Sequence, residues 1–221
     1  RADSAGSNDL TAVNAPGVAQ GVASGPAQNG APVKSWTGRT NSTVLSQATL
    51  ASQPLWIASG QNSKPALRFD GVDDHLKTPV HATQAQPISI FAMLSPDNTA
   101  VARFWDTDVA GTNREGFGLD GTGKWFMYAG SGLTGGTAAS GAHVVSAIYN
   151  GASSKARVNA TEIIAADAGS LDYRGITVGR LATGNLPFDG DMGDLFPNLA
   201  LATDAEIASA ESFLNSKYAV Y

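Results

Sequence analysis

Residues 65–74 read Pro-Ala-Leu-Arg-Phe-Asp-Gly-Val-Asp-Asp. Five residues of strand character, ALRFD, run into Asp70-Gly71, with Asp73 and Asp74 just beyond. Asp and Gly favour turns because Asp hydrogen-bonds its own backbone and Gly tolerates positive φ. The same grammar continues outward. ISIFAML (88–94) follows Pro87 and stops at Ser95-Pro96, and AVARFWD (100–106) comes next. Residues 116–128 fold back at Asp120-Gly121-Thr122-Gly123, a hairpin signal. HVVSAIYN (143–150), ARVNATEII (156–164), GITVGRL (175–181) and 192–201 complete the series. Short strands at this spacing predict an all-β, antiparallel two-sheet jelly-roll sandwich.

One helix stands apart. Thr203 and Glu206 have the spacing of a capping box, and Ile207, Ala210, Glu211, Leu214 and Tyr218 follow as one stripe. This predicts a C-terminal helix packed on the sandwich. Residues 1–32 carry no apolar period and are punctuated by Pro16, Gly17, Gly21, Gly25, Pro26, Gly30 and Pro32. They are expected to form an extended Gly/Ala/Pro-rich arm that docks on its own domain or a neighbour, leaving 33–221 as the folded domain.

Composition narrows the function. Charged residues are 15% of the 221, the net charge is −5, and no basic cluster occurs, which argues against nucleic acid. Apolar runs are far shorter than the ~20 residues of a membrane helix, so no membrane insertion is expected. Zero cysteines remove disulfide frameworks, thiolate metal sites and cysteine nucleophiles.

Several stretches together carry a resemblance: Val33-Lys34-Ser35-Trp36, Gln47-Ala48-Thr49 through Gln53-Pro54, the 65–74 segment, and Phe188-Asp189-Gly190-Asp191-Met192-Gly193-Asp194 running on to Ala205-Glu206-Ile207 and Lys217-Tyr218. This pattern resembles the laminin-G-like, concanavalin-A-like lectin/glucanase superfamily in its bacterial or phage form. The resemblance implies the sandwich over about 33–221 and leaves activity open, because the fold hosts lectins, adhesion modules, glucanases, lyases and virion proteins. It also implies that Ca²⁺ is held at one rim in many members.

The residues speak against catalysis. Glucanases of this superfamily carry an E-x-D-x-x-E strand, and retaining hydrolysis needs two carboxylates ~5–5.5 Å apart. The four glutamates, Glu115, Glu162, Glu206 and Glu211, do not form that pattern. His75, His81 and His143 lack metal spacing, and no G-x-S-x-G occurs. The chain is therefore expected not to be an enzyme.

A sugar site needs an aromatic plate and planar polar groups. By strict alternation Arg103 and Trp105 share one face of 100–106, opposite Phe104, and they face outward if Phe104 faces the core. Strand 124–128 is apolar on both faces, with Trp125 and Met127 opposing Phe126 and Tyr128. The loop between Asp106 and Glu115 adds Arg114. The glycan-binding candidates are thus Arg103, Trp105, Arg114, Trp125 and Tyr128; the same residue types equally suit a protein contact. Asp70, Asp73 and Asp74 are the metal candidates, with Ca²⁺ the fitting ion, although an ordinary turn explains them as well.

The expectation that results is a non-catalytic surface module of an extracellular or virion assembly, such as a phage decoration or fibre protein, with lectin-like glycan-binding capacity. The alternatives are a stand-alone secreted lectin or adhesin and, more remotely, a polysaccharide-cleaving enzyme. Expected partners are a polysaccharide or cell-surface glycan, and neighbouring subunits reached through residues 1–32 in an oligomer or larger assembly. The expected location is extracellular or on a virion surface.

Overall fold

A computed structural model of the chain describes residues 11–13, 29–37, 44–108 and 115–221, with 11–13 described by backbone alone. The strands are β1 (Thr11–Val13), β2 (Ser35–Thr37), β3 (Val44–Ser46), β4 (Leu55–Ile57), β5 (Ala66–Asp70), β6 (Leu76–Lys77), β7 (Ile88–Pro96) and β8 (Ala102–Asp106). They continue as β9 (Gly116–Leu119), β10 (Lys124–Tyr128), β11 (Gly132–Thr137), β12 (His143–Tyr149), β13 (Ser154–Val158), β14 (Thr161–Ala166), β15 (Thr177–Val178) and β16 (Asp189–Asn198). Helix α1 (Asp204–Tyr218) closes the chain.

All pairings are antiparallel, and they make two sheets: β1-β2-β3-β6-β15-β8-β9-β10-β11, and β14-β13-β12-β7-β16-β5-β4. The fold is the expected all-β jelly-roll sandwich with a C-terminal helix. Trp36, Phe69, Phe104, Trp105, Phe117, Trp125, Tyr149 and Phe188 fill the space between the sheets.

The smaller sheet is buried on both sides. Along β7, Ile88, Ile90, Ala92 and Leu94 enter the central core. Phe91 and Met93 point the other way, onto Ile207, Leu214 and Tyr218 of α1. A strand sandwiched so cannot alternate apolar and polar, which is why ISIFAML reads as one apolar run. The helix begins as predicted, with Thr203 and Glu206 forming a capping box. Glu211 is 3% exposed within the stripe and accepts from Arg157 of β13 and Ser146 of β12, fixing the helix to the sheet.

One local feature departs from the reading of the sequence. The segment 156–164 is a hairpin rather than one strand, turning at Asn159 (φ 49°) and Ala160 (φ 61°) between β13 and β14. Of the expected arm, the described parts lie on the sandwich. Thr11–Val13 pair with Ser35–Thr37, and the Trp56 N–H donates to Ala31 O. The remainder of residues 1–28 lies outside the described residues.

Candidate functional site

Helix α1 packs on the outer face of the smaller sheet and not of the larger; Arg103, Asp106 and Gly118 are buried, while Lys124 is exposed and Phe126 and Tyr128 are partly exposed, on the larger sheet's outer face. Its centre is set by β8, β9 and β10. Opposite Gly118 of β9 lie Arg103 of β8 and Phe126 of β10; opposite Gly116 lie Asp106 and Tyr128. Two glycines between side-chain-bearing strands leave a lane across the sheet. A Cβ on Gly118 would meet Ala102 O at 2.0 Å and Arg103 Cα at 2.9 Å, so only glycine fits this close approach.

Arg103 lies along that lane, with its Cζ 3.8 Å from the centroid of the Phe126 ring. Its Nη1 donates to Leu119 O at 2.8 Å and to Ala102 O at 2.9 Å. Phe126 and Tyr128 are partly exposed, and their rings lie 6.4 Å apart in planes only 10° from parallel. The result is a partly exposed aromatic pair with a largely buried guanidinium packed on one of its rings.

At the end of this face, where the chain leaves β8 and re-enters at β9, three acids are fully buried. Glu115 accepts from the Thr107 hydroxyl at 3.0 Å, Asp108 pairs with Arg174 at 3.2 Å, and Asp106 accepts the Ala182 N–H at 3.1 Å. Their bonds brace the described residues on either side of 109–114, and those six residues lie outside the described ones.

The structure redistributes the predicted glycan residues. Tyr128 is on the outer face, and so is Arg103. Trp105 and Trp125 are corrected: they are 0% and 1% exposed in the core, stacked on either side of Phe117 at 5.2 Å and 5.8 Å. The physical reason for Trp105 is a β-bulge. Arg103 pairs with Gly118 but Trp105 with Phe117, so Phe104 is an extra residue and both Phe104 and Trp105 turn inward. The Trp105 N–H is satisfied there by Tyr149 Oη at 3.2 Å. Arg114 lies outside the described residues. Phe126, absent from the candidates, takes a central place. The signal for it was Lys124, a charge on the same face of β10 as Phe126 and Tyr128, which marks that face as the wet one.

Asp70, Asp73 and Asp74 do come together, with ligand atoms within 4.8 Å of one another. Asp70 Oδ1 accepts the Val72 N–H at 2.9 Å, Asp74 Oδ2 accepts the Asp70 N–H, and Asp73 accepts from the Ser52 hydroxyl. These are the bonds of a turn built by Asp. The oxygen donor set also fits a hard divalent cation, and these three residues would hold it. Burial, followed by repulsion from Asp70, pushes the Asp74 carboxyl up to about 6. A cavity of about 170 Å³ opens nearby between Gly71, Asn98, Val101, Phe188 and Asp189, and Ala102 and Leu119, whose carbonyls bond Arg103, also line it.

No protein-family model and no curated protein sequence matches the chain. Solved structures do. Trypanosoma rangeli sialidase in complex with the inhibitor DANA matches at TM-score 0.60 and 12% identity, over 86% of this chain and 32% of that one. Domain 4 of AbnA, a GH43 extracellular arabinanase from Geobacillus stearothermophilus in complex with arabinotriose, matches at 0.56 and 13%, over 72% of this chain and 81% of that one. The heptameric SAP-like pentraxin from Limulus polyphemus matches at 0.52 and 11%, over 65% and 80%. The likeness is one of fold. The chain spans about a third of the sialidase, so whatever the whole sialidase does is not thereby carried over. The neighbours nonetheless overturn the expected role as a virion decoration or fibre module: among them are a sialidase and a domain of an arabinanase. Among the described residues no helix is long and apolar enough to cross a membrane.

Proposed function

We propose that this sandwich is a glycan-recognition domain of a carbohydrate-active protein, holding a saccharide on the outer face of the larger sheet without cleaving it. The observation that carries the reading is the partly exposed, near-parallel pair Phe126 and Tyr128 on the sheet face that α1 does not cover. Partial desolvation of such rings against sugar C–H groups, with hydroxyls bonded by neighbouring polar groups, is a general mode of saccharide binding. The match to a single domain of an arabinanase, crystallised with arabinotriose, supports it. The finer placement among laminin-G-like domains rests on the 65–74 segment and on Phe188–Asp194.

Absence of cleavage is supported by how the carboxylates are spent. Glu206 caps α1, Glu211 is bonded to Arg157 and Ser146, and Glu115, Asp106 and Asp108 are buried and engaged. A glycan array followed by calorimetry tests the reading. Tyr128→Ala and Phe126→Ala are each expected to weaken binding roughly tenfold or more, about 1.4 kcal/mol, with no sugar released over long incubation. Wild-type-like binding by both variants, or saccharide turnover, would sink it.

A further inference from the structure

Arg103 is 8% exposed, yet among the described residues no carboxylate is hydrogen-bonded to it. Its side-chain hydrogen bonds among the described residues are those of Nη1 to the Ala102 and Leu119 carbonyls. Among the described residues Nε and Nη2 have no hydrogen-bond partner, and neither is sealed from solvent. Elsewhere in the molecule the same edge of arginine grips a carboxylate with two bonds. Arg157 Nε and Nη2 donate to the two Glu211 oxygens at 2.9 Å and 3.2 Å, and Arg68 Nε and Nη2 hold Asp191. At Arg103, unlike the other two, no carboxylate among the described residues fills this fork.

The charges around Arg103 do not fill that role. Asp106 and Asp120 act on it through space, while Asp106 accepts from Ala182 and Asp120 bonds Thr122 and Lys124 within the hairpin turn. Tyr149, the other group near it, is buried and held in its neutral form by desolvation. Burial without a hydrogen-bonded anion pulls the guanidinium down to about 10. A buried charge is tolerated when paired, and arginine's planar fork matches a carboxylate with two parallel bonds.

We propose that the Nε/Nη2 edge of Arg103 receives the carboxylate of an acidic sugar while Phe126 and Tyr128 take the ring, so that the face selects glycans carrying a sugar acid. This rests on the glycan reading above and adds a ligand class to it. Arg103 is then a specificity residue, and the carbonyls of Ala102 and Leu119 together with the Phe126 ring hold its plane in place.

The test uses the full chain and two pairs of probes: trigalacturonate and sialyllactose, each against its own methyl ester, which keeps the shape and removes the charge. Calorimetry at low salt is expected to show each acid that binds doing so at least tenfold more tightly than its ester. Arg103→Met should erase that difference while leaving the weak binding of the ester, and Arg103→Lys, which keeps the charge without the fork, should recover little of it. Equal affinity for acid and ester, or a preference that survives Arg103→Met, overturns the proposal. Binding of arabinotriose or other neutral glycans alone overturns it while leaving the glycan reading standing; binding of no saccharide removes both. Should Arg103→Met fail to fold, the arginine Nε–H resonances of the wild-type protein decide, with Arg103 assigned from Arg103→Lys. Its signal should move on adding either acid and stay still with the ester, and no movement with either acid overturns the proposal.

Discussion

The indole of Trp105 fills the core beside Phe117 and donates its N–H to Tyr149 Oη across the two sheets. Truncating it leaves both a cavity and a buried phenol without its partner. Trp105→Ala is therefore expected to cost about 3–5 kcal/mol in urea unfolding, whereas Tyr128→Ala, at the surface, should cost far less. A loss below 1 kcal/mol at Trp105 would contradict its placement. Asp74 gives a pH signature of opposite sense to the usual paired carboxylate. Its folded value of about 6 lies above the ordinary carboxylate value of 3.8. Between those values the native state holds a proton that the unfolded chain has released, so stability falls as pH rises through this window. Asp74→Asn, which keeps an oxygen for the Asp70 N–H, should stabilise the protein by roughly 2 kcal/mol at pH 7.5 and by nothing near pH 3.5. A pH-independent difference would refute this account.

At the scale of elements, the β-bulge in β8 and the hairpin between β13 and β14 do most to shape the molecule locally. The bulge sends two consecutive aromatic residues inward and leaves Arg103 outward beside Gly118, which no period-2 reading of AVARFWD can reproduce. The hairpin turns on two residues with positive φ, the pattern of a two-residue turn that normally carries Asn-Gly. Asn159 tolerates this and accepts the Val144 N–H with its side chain at 2.9 Å. Ala160, at φ 61°, has its Cβ in the conformation that L-residues avoid. Ala160→Gly is expected to raise stability by about 0.5–1 kcal/mol, the strain relieved exceeding the extra freedom of glycine in the unfolded chain. A destabilised variant would mean that the Ala160 methyl group contributes packing. The start of α1 was legible to the residue, because a capping box is a local pattern that needs no tertiary partner.

For the whole molecule, the decisive asymmetry among the described residues is that one sheet has a helix on its back and the other does not. Phe91, Met93, Val144 and Ile148 pack on Ile207, Leu214 and Tyr218, so α1 belongs to the same cooperative unit as the sandwich. The near-ultraviolet signal of the buried tryptophans and the far-ultraviolet signal of α1 should therefore fade together on heating; two separated transitions would show α1 docking as an independent element. Strand character, most turn positions, the capped helix and the candidate cluster Asp70, Asp73 and Asp74 were written in the sequence, because each depends on residues near one another along the chain. The inward turn of Trp105 and Trp125, the pairing of Arg103 with Phe126 and the partial exposure of Phe126 and Tyr128 were settled only by tertiary structure. They depend on which strands become neighbours, on one extra residue in a ladder, and on which sheet the helix covers. Those are long-range choices, fixed by burial of apolar surface summed over the whole chain, and no local pattern encodes them.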